Sequence, residues 1–232
     1  MIALVLALLT GAPTAPGADV PDSLIPVGDL PLIQVQAPKG PLLAVMLTGD
    51  GGWAAGDKSM AAALVRRNVA VVGLSSPRYL AHGRTPDEAA GDLARILRHF
   101  LDAWHRDRAV IVGYSRGADI GPFMVSRLPA ALRQRVALTA LLGPGELASF
   151  KFGPLDILRT HGGQKDLPVS PEVANLRGMP VLCIYGSRDR GAICSSLGEA
   201  GLARALVRNG GHVVGGGEGP ALVDVILAAL PN

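Results

Sequence analysis

The sequence is poor in aromatic residues, which make up only 4% of its 232 residues. Surfaces that stack nucleic-acid bases depend on aromatic side chains, so this composition argues against a surface of that kind. Positive charge is also dilute, because the formal net charge is +3 and no run of basic residues is longer than two. We therefore expect no nucleic-acid partner and no more than a weak preference for anionic surfaces.

Cysteine is scarce as well, since Cys183 and Cys194 are the only two in the chain. The sequence has no C-x-x-C motif and no Cys/His cluster, which argues against a structural zinc site. In an exported protein such a pair predicts a disulfide, and here the disulfide would enclose Asp189. The alternative is a pair of buried thiols.

The first residues carry the pattern of a secretory signal. Residues 1–9 are almost wholly apolar, and residues 10–18 are small and rich in proline. This order resembles the apolar region and the cleavage region of a signal peptide, and the apolar run is too short to span a bilayer. We expect residues 1–18 to be a signal peptide, the protein to be exported, and no integral membrane span. The alternative is a buried N-terminal strand or helix.

From about residue 30 onward, short apolar runs alternate with amphipathic stretches. This alternation predicts a mostly parallel sheet with helices on both faces, within a single domain over residues 19–232. Residues 143–176 interrupt the alternation, and we expect a lid or substrate-binding loop there. The predicted strands are 42–47, 69–74, 109–112, 136–142 and 181–185, and the predicted helices are 58–67, 86–104, 118–127 and 220–230.

The strongest functional motif is G-x-S-x-G at residues 113–117. It follows a predicted strand directly and opens a predicted helix, which is the setting of a catalytic serine on a sharp turn. Such a turn requires small flanking residues, and the helix N-terminus favours a developing negative charge. The motif therefore predicts Ser115 as a nucleophile. The alternative is an ordinary tight turn with an N-capping serine.

A serine hydroxyl needs a base, and in this setting the acid and then the histidine follow the serine along the chain. His212 lies in a glycine-containing loop just before the last predicted helix, where the base is expected. Asp189 follows the strand 181–185 and is the candidate for the acid that orients the imidazole. The weaker candidates for the acid are Asp156, Asp166, Glu172 and Glu199. None of them directly follows a clearly predicted strand.

Acyl transfer also needs two backbone N–H groups that stabilise the oxyanion. One is expected from Arg116, directly after the nucleophile, and the other from the glycine-rich loop 48–53 after an early strand. In that loop we favour the amide of Asp50, with the amide of Gly51 as the alternative. A glycine-rich turn without a chemical role is the competing interpretation. This chemistry implies no metal and no cofactor.

Together these segments resemble the bacterial VirJ/AcvB virulence protein family. The resemblance rests on GDGGW at 49–53, GYSRGAD at 113–119, the two cysteines and Gly211-His212, and it extends from about residue 40 to the C-terminus. It implies an α/β-hydrolase fold, a periplasmic location and an association with virulence and type IV secretion. Related proteins hydrolyse the aminoacyl ester of lysyl- or alanyl-phosphatidylglycerol. The resemblance also implies Ser115, Asp189 and His212 as the catalytic triad.

The substrate that the resemblance implies is compatible with the predicted site. An aminoacyl ester is an activated acyl group, presented here by a lipid at a membrane surface, and its cationic head needs a nearby carboxylate. We expect Asp50 to recognise the amine and Trp53 and Tyr114 to contact the substrate. Two other interpretations stay open: a carboxylesterase or thioesterase with another substrate, and an exported protein that binds secretion proteins and has a vestigial triad.

Overall fold

The structure is a computed structural model that describes residues 24–27, 30–153 and 166–231. Within these ranges the chain forms ten strands and eight helices. The strands are β1 (Leu24–Val27), β2 (Leu30–Val35), β3 (Leu42–Leu47), β4 (Ala70–Leu74), β5 (Arg108–Tyr114), β6 (Val136–Leu142), β7 (Leu147–Ala148), β8 (Leu167–Pro168), β9 (Val181–Gly186) and β10 (Arg204–Arg208). The helices are α1 (Ala55–Arg66), α2 (Ser76–Leu80), α3 (Pro86–Ala103), α4 (Arg116–Ser126), α5 (Ala130–Arg133), α6 (Val169–Ala174), α7 (Cys194–Glu199) and α8 (Gly219–Ala228).

The central sheet has eight strands in the order β1-β2-β4-β3-β5-β6-β9-β10. The strands from β4 to β10 in this order run parallel, whereas β2 pairs antiparallel with both β1 and β4. Burial on both faces explains the near-continuous apolar sequence of the inner strands. The mostly parallel sheet predicted from the sequence is therefore confirmed.

Helices cover both faces of this sheet, so that two hydrophobic clusters form. Along β3, side chains alternate between the clusters, with Leu43 and Val45 in one and Ala44 and Met46 in the other. The first cluster includes residues of α3 and α4, and the second includes residues of α1 and α8. This arrangement leaves the carboxyl ends of the parallel strands free to carry functional loops.

Helix α3 shows how closely the sequence pattern specifies some elements. Thr85 is its N-cap: the hydroxyl of Thr85 accepts a hydrogen bond from the Glu88 N–H, and the Glu88 carboxylate accepts one from the Thr85 N–H at 2.7 Å. This reciprocal capping satisfies two N–H groups that the first turn leaves without partners. The buried face of the helix is formed by Leu93, Ile96, Leu97, Phe100 and Leu101.

The segment 143–176, predicted as a lid, is described at residues 143–153 and 166–176, and residues 154–165 lie outside the described ranges. Strands β7 and β8 pair in a small antiparallel sheet, and α6 packs against α4. Residues 167–176 therefore pack against the body of the fold, and the lid or substrate-binding loop over 143–176 stays a prediction. The physical reason is an apolar stripe that places Val169, Val173 and Leu176 in the core.

The two cysteines form a disulfide, with their Cα atoms 5.4 Å apart. Cys183 lies in β9 and Cys194 opens α7, and both are fully buried. The disulfide therefore encloses the loop between these elements, which carries Asp189. In the part of the chain that is described, no helix is long and apolar enough to cross a membrane. The predicted signal peptide at residues 1–18 lies outside that part.

Candidate active site

Ser115 lies on a sharp turn between β5 and α4, with φ at 52° and ψ at −121°. This backbone conformation is rare for a residue with a side chain, and it is maintained by the packing of the strand and the helix on either side. The helix passes directly beside β3, since a Cβ atom added to Gly117 would lie 2.0 Å from the carbonyl oxygen of Leu47. Only glycine fits at this position, as a sharp turn of this kind requires.

The structure brings Ser115, His212 and Asp189 together in one hydrogen-bonded chain. The Nε2 atom of His212 lies 2.7 Å from the Ser115 Oγ, and its Nδ1 atom lies 2.8 Å from the Asp189 Oδ2. In the tautomer that satisfies both contacts, Nδ1–H donates to the carboxylate and Nε2 accepts from the hydroxyl. The His212 side chain is 43% exposed, whereas that of Asp189 is 7% exposed. The imidazole of His212 is thus accessible from solvent, and the carboxylate of Asp189 is shielded behind it.

Gly143, the first residue of the segment predicted as a lid, lies against the His212–Asp189 pair. Its φ is +62°, and an added Cβ would lie 3.1 Å from the Cε1 and Nδ1 atoms of His212 and 3.2 Å from the Asp189 Oδ2. A larger residue would strain the backbone and press on the hydrogen bond between the two side chains. The signal that could have identified it is a glycine directly after the buried strand β6.

Arg208, which the sequence reasoning missed, holds the loop that carries His212. Its Nη2 donates to the carbonyl oxygens of Gly211 at 2.5 Å and Val213 at 3.0 Å, with a longer contact of 3.4 Å to that of His212. Its Nη1 donates to the Glu218 carboxylate at 2.6 Å. One guanidinium therefore fixes successive carbonyl groups around the histidine. An arginine ending a strand before a glycine-rich loop was the available signal, but β10 was not predicted.

Tyr114 and Trp53, both expected to contact the substrate, make contacts within the protein. The hydroxyl of Tyr114 accepts from the Val214 N–H at 3.2 Å, and its ring stacks on that of His212 with 5.9 Å between centroids. Burial raises the pKa of the Tyr114 hydroxyl. The ring of Trp53 packs on β4, where a Cβ added to Gly73 would lie 2.5 Å from it. Tyr114 thus supports the histidine loop, and Trp53 anchors the glycine-rich loop to the sheet.

The glycine-rich loop 48–53 lies beside Ser115. A Cβ added to Gly49 would lie 3.2 Å from the Cβ of Ser115, and the Gly52 N–H closes a turn onto the Gly49 carbonyl at 3.1 Å. Among the described residues, the backbone N–H groups of Asp50, Gly51 and Arg116 donate to no protein acceptor. These are the three N–H groups that the sequence predicted for the oxyanion, and all three belong to segments that meet at Ser115.

The carboxylate of Asp50 has a partner other than the expected substrate amine. The Nε and Nη2 atoms of Arg116 donate to its two oxygens, the second contact at 3.2 Å. The guanidinium also faces the ring of Phe152, with Cζ 5.3 Å from the ring centroid. Because this internal cation already neutralises the carboxylate, the geometry favours a structural partnership with Arg116 over amine recognition.

Of the other acids considered for the triad, Glu172 and Glu199 have partners elsewhere, and Asp156 lies outside the described residues. Glu172 accepts from Ser126 and Arg127, and Glu199 accepts from Ser195. Asp119, four residues after Ser115, is buried and accepts a hydrogen bond from the Gly145 N–H at 2.7 Å, and burial raises the pKa of Asp119 to about 7. Within the described ranges, no three His, Cys, Asp or Glu side chains cluster as metal ligands would.

Solved structures similar to this one share its fold at low sequence identity. The Pyrococcus furiosus esterase Pf2001 matches with a TM-score of 0.60 and 13% identity, covering 84% of this chain and 82% of that one. Est1E from Butyrivibrio proteoclasticus matches with 0.62 and 15%, covering 88% and 97%. The thioesterase domain from the curacin biosynthetic pathway matches with 0.60 and 13%, covering 84% and 94%.

At the level of sequence, one family model covers most of the chain. The model described as bacterial virulence protein (VirJ) matches residues 41–232. A search of curated protein sequences finds no significant match. The matched range contains Ser115, His212 and Asp189, the glycine-rich loop and the disulfide. The chain therefore belongs to the VirJ family of bacterial virulence proteins, and it has an α/β-hydrolase fold.

Proposed function

We propose that the protein is a serine hydrolase that cleaves esters by acyl transfer. The observation that supports this most directly is the chain of two short hydrogen bonds from Ser115 through His212 to Asp189. It occurs on a serine whose backbone strain presents the hydroxyl at the carboxyl edge of the sheet. A strained serine, an adjacent base and a buried acid are the parts that nucleophilic acyl transfer needs.

The reaction follows from these positions in two halves. Ser115 Oγ attacks the ester carbonyl carbon while His212 Nε2 takes the hydroxyl proton, and Asp189 stabilises the imidazolium that forms. The negative oxygen of the tetrahedral intermediate accepts from the N–H groups of Arg116 and of Asp50 or Gly51. The alcohol leaves with the proton from His212. Water then attacks the acyl-enzyme with His212 as base, releasing the acid and restoring the serine.

The substrate that we propose is the aminoacyl ester of lysyl- or alanyl-phosphatidylglycerol. It is supported by membership of the VirJ family together with the resemblance to the VirJ/AcvB proteins, which implies this activity. The half-exposed base suits an ester presented at the surface of a membrane. The proposed periplasmic location accords with the disulfide, since disulfides persist in oxidising compartments. In the periplasm the protein would be associated with type IV secretion, as the resemblance implies.

A second candidate is a carboxylesterase or thioesterase with a different acyl group. It is favoured by the similar structures, which include an esterase and a thioesterase domain. The catalytic residues and their roles would be the same. The two candidates differ in whether the amino group and the lipid of the substrate contribute to its recognition.

The test is hydrolysis by the purified protein of lysyl- and alanyl-phosphatidylglycerol in mixed micelles and of a short-chain p-nitrophenyl ester. Ser115→Ala removes the nucleophile and should lower kcat by at least about 10³-fold. Ser196→Ala, an exposed serine in α7, is the matched control and should leave kcat unchanged.

Release of the amino acid that depends on Ser115 would support the aminoacyl-lipid reaction. Activity on the p-nitrophenyl ester alone would favour the second candidate. No turnover of any of the three substrates by folded protein would refute both enzymatic candidates. It would instead favour a protein that binds secretion proteins through a vestigial triad.

A further inference from the structure

We propose that the ion pair between Arg116 and Asp50 is a brace that fixes the separation of the two oxyanion-hole N–H groups. The inference rests on the proposed function, because it assigns a role to side chains whose own backbone amides would bind the oxyanion. Arg116 and Asp50 are 66 residues apart in the chain. Their side chains thus join the nucleophile turn directly to the glycine-rich loop.

The two amides have very different local support. The Arg116 N–H belongs to the first turn of α4, whose hydrogen bonds and packing hold it in place. The Asp50 N–H belongs to a loop with glycine at three of the positions from 49 to 52, and glycine restricts the backbone least. An oxyanion hole needs its donors held to within about 0.5 Å of the productive position. A connection from Asp50 to the rigid helix meets this need.

The chemistry of the pair suits such a connection. A guanidinium is a planar fork that matches both carboxylate oxygens, so a two-point contact fixes orientation as well as distance. The Arg116 side chain is only 2% exposed, and one face of it is covered by Phe152. An arginine that is this deeply buried cannot move its guanidinium into solvent. The Asp50 carboxylate, which is 30% exposed, is therefore held by a fixed partner.

The burial of the two side chains is unequal, and this determines the best variant. Removing Asp50 would leave a buried cation without its carboxylate, which is strongly destabilising. Removing the guanidinium leaves a carboxylate that water can reach. Arg116→Met keeps an apolar stem of similar length and keeps the Arg116 backbone N–H. It is therefore the variant that releases the brace with the least damage to the fold.

The assay uses the full protein and a short-chain p-nitrophenyl ester, which has no amine for Asp50 to recognise. A second readout is the rate of labelling by a fluorophosphonate, which phosphonylates the serine and releases fluoride. We expect Arg116→Met to lower kcat and the labelling rate by about 10- to 100-fold, part of the 10²–10³-fold effect of losing one oxyanion donor. KM should change by less than about 3-fold, because the ground-state ester uses these N–H groups little.

The matched control is Glu172→Gln. It breaks the ion pair between Arg127 and Glu172 (2.7 Å), which lies at the C-terminal end of α4, whereas Arg116 lies at its N-terminal end. It should lower the free energy of unfolding without changing kcat. If Arg116→Met does not fold, Arg116→Lys carries the same test, since a lysine keeps the charge but not the two-point contact. It should lower kcat by more than about 2-fold, but by less than the roughly 10- to 100-fold expected of Arg116→Met.

Each outcome decides the proposal. A kcat within about 2-fold of wild type for a folded Arg116 variant, or a loss confined to KM, would overturn the brace while leaving the serine mechanism intact. An equal fall in kcat for Glu172→Gln would assign the effect to general stability and would also overturn it. A wild-type protein inert to both ester and fluorophosphonate would overturn the proposed function, and the brace with it.

Discussion

Gly117→Ala is the substitution that most directly tests the packing of the nucleophile turn. The added Cβ would lie 2.0 Å from the carbonyl oxygen of Leu47, where ordinary contacts begin at 3.4 Å. The two backbones would have to separate by more than about 1 Å. Leu47 ends β3 in the middle of the sheet, and Gly117 lies in the first turn of α4, so neither backbone can yield without breaking other packing.

The size of the expected loss in stability depends on which atoms must move to make room for the Cβ. Overpacking that flexible side chains can absorb costs about 1–3 kcal/mol. Here both groups are backbone, so we expect a loss of at least about 3 kcal/mol against a total stability of 5–15 kcal/mol for ordinary domains. Because Leu47 leads into the glycine-rich loop and Gly117 follows Ser115, the same displacement should separate the proposed nucleophile from the proposed oxyanion donors. We therefore expect ester hydrolysis to fall even in the fraction that folds.

The assay is urea unfolding followed by circular dichroism, with Gly91→Ala as the matched control. Gly91 is an exposed residue inside α3, and a Cβ added there meets nothing within 4 Å. The control should be stabilised by about 0.5–1 kcal/mol, since alanine is the better helix former. If Gly117→Ala unfolded within about 0.5 kcal/mol of wild type, the close packing of α4 on β3 would be refuted.

Three further predictions concern the surroundings of the triad. Replacing Cys183 and Cys194 by alanine removes the disulfide that closes a short loop in the unfolded chain. The free energy of unfolding should fall by about 3 kcal/mol in urea titrations. Unchanged stability would contradict a formed disulfide. Arg208→Lys keeps the charge but not the fork that holds the histidine loop, and kcat for the p-nitrophenyl ester should fall about 10-fold with little change in KM; an unchanged kcat would argue against this role. Burial raises the pKa of Asp57 from 3.8 to about 6. Between these two pH values the native state retains a proton that the unfolded chain loses. The free energy of unfolding therefore falls as the pH rises from about 4 to about 6. Asp57→Asn should therefore match wild type below pH 4 and exceed it by up to about 3 kcal/mol at pH 7 in urea unfolding, whereas equal stability at both pH values would refute the shift.

The elements that the sequence predicted well are those with strong local signals. Helix α3 was predicted at 86–104 and spans Pro86–Ala103, because its cap and its apolar stripe both lie within its own sequence. The buried strands β3 and β6 were predicted with their observed bounds, since runs of apolar residues admit few other arrangements in a parallel sheet.

The elements that were missed have weak or conflicting local signals. Strand β10 is a half-exposed edge strand that begins and ends with arginine, so it shows no apolar run. Helix α6 has only six residues and contains Pro171, and its place in the core depends on α4. In both cases the structure of the segment is decided by a neighbour that is distant in sequence.

Local residue patterns and chain order were enough to predict the candidate site residues. The G-x-S-x-G motif indicated Ser115, and the order of serine, acid and histidine after it indicated Asp189 and His212. The side chains that support these three residues are evident only from the folded arrangement. Arg116 meets Asp50 across 66 residues, and Gly143 lies against His212 from a different strand end. Such contacts depend on how β3, β5, β6 and β9 align in one sheet, and no local pattern encodes that alignment.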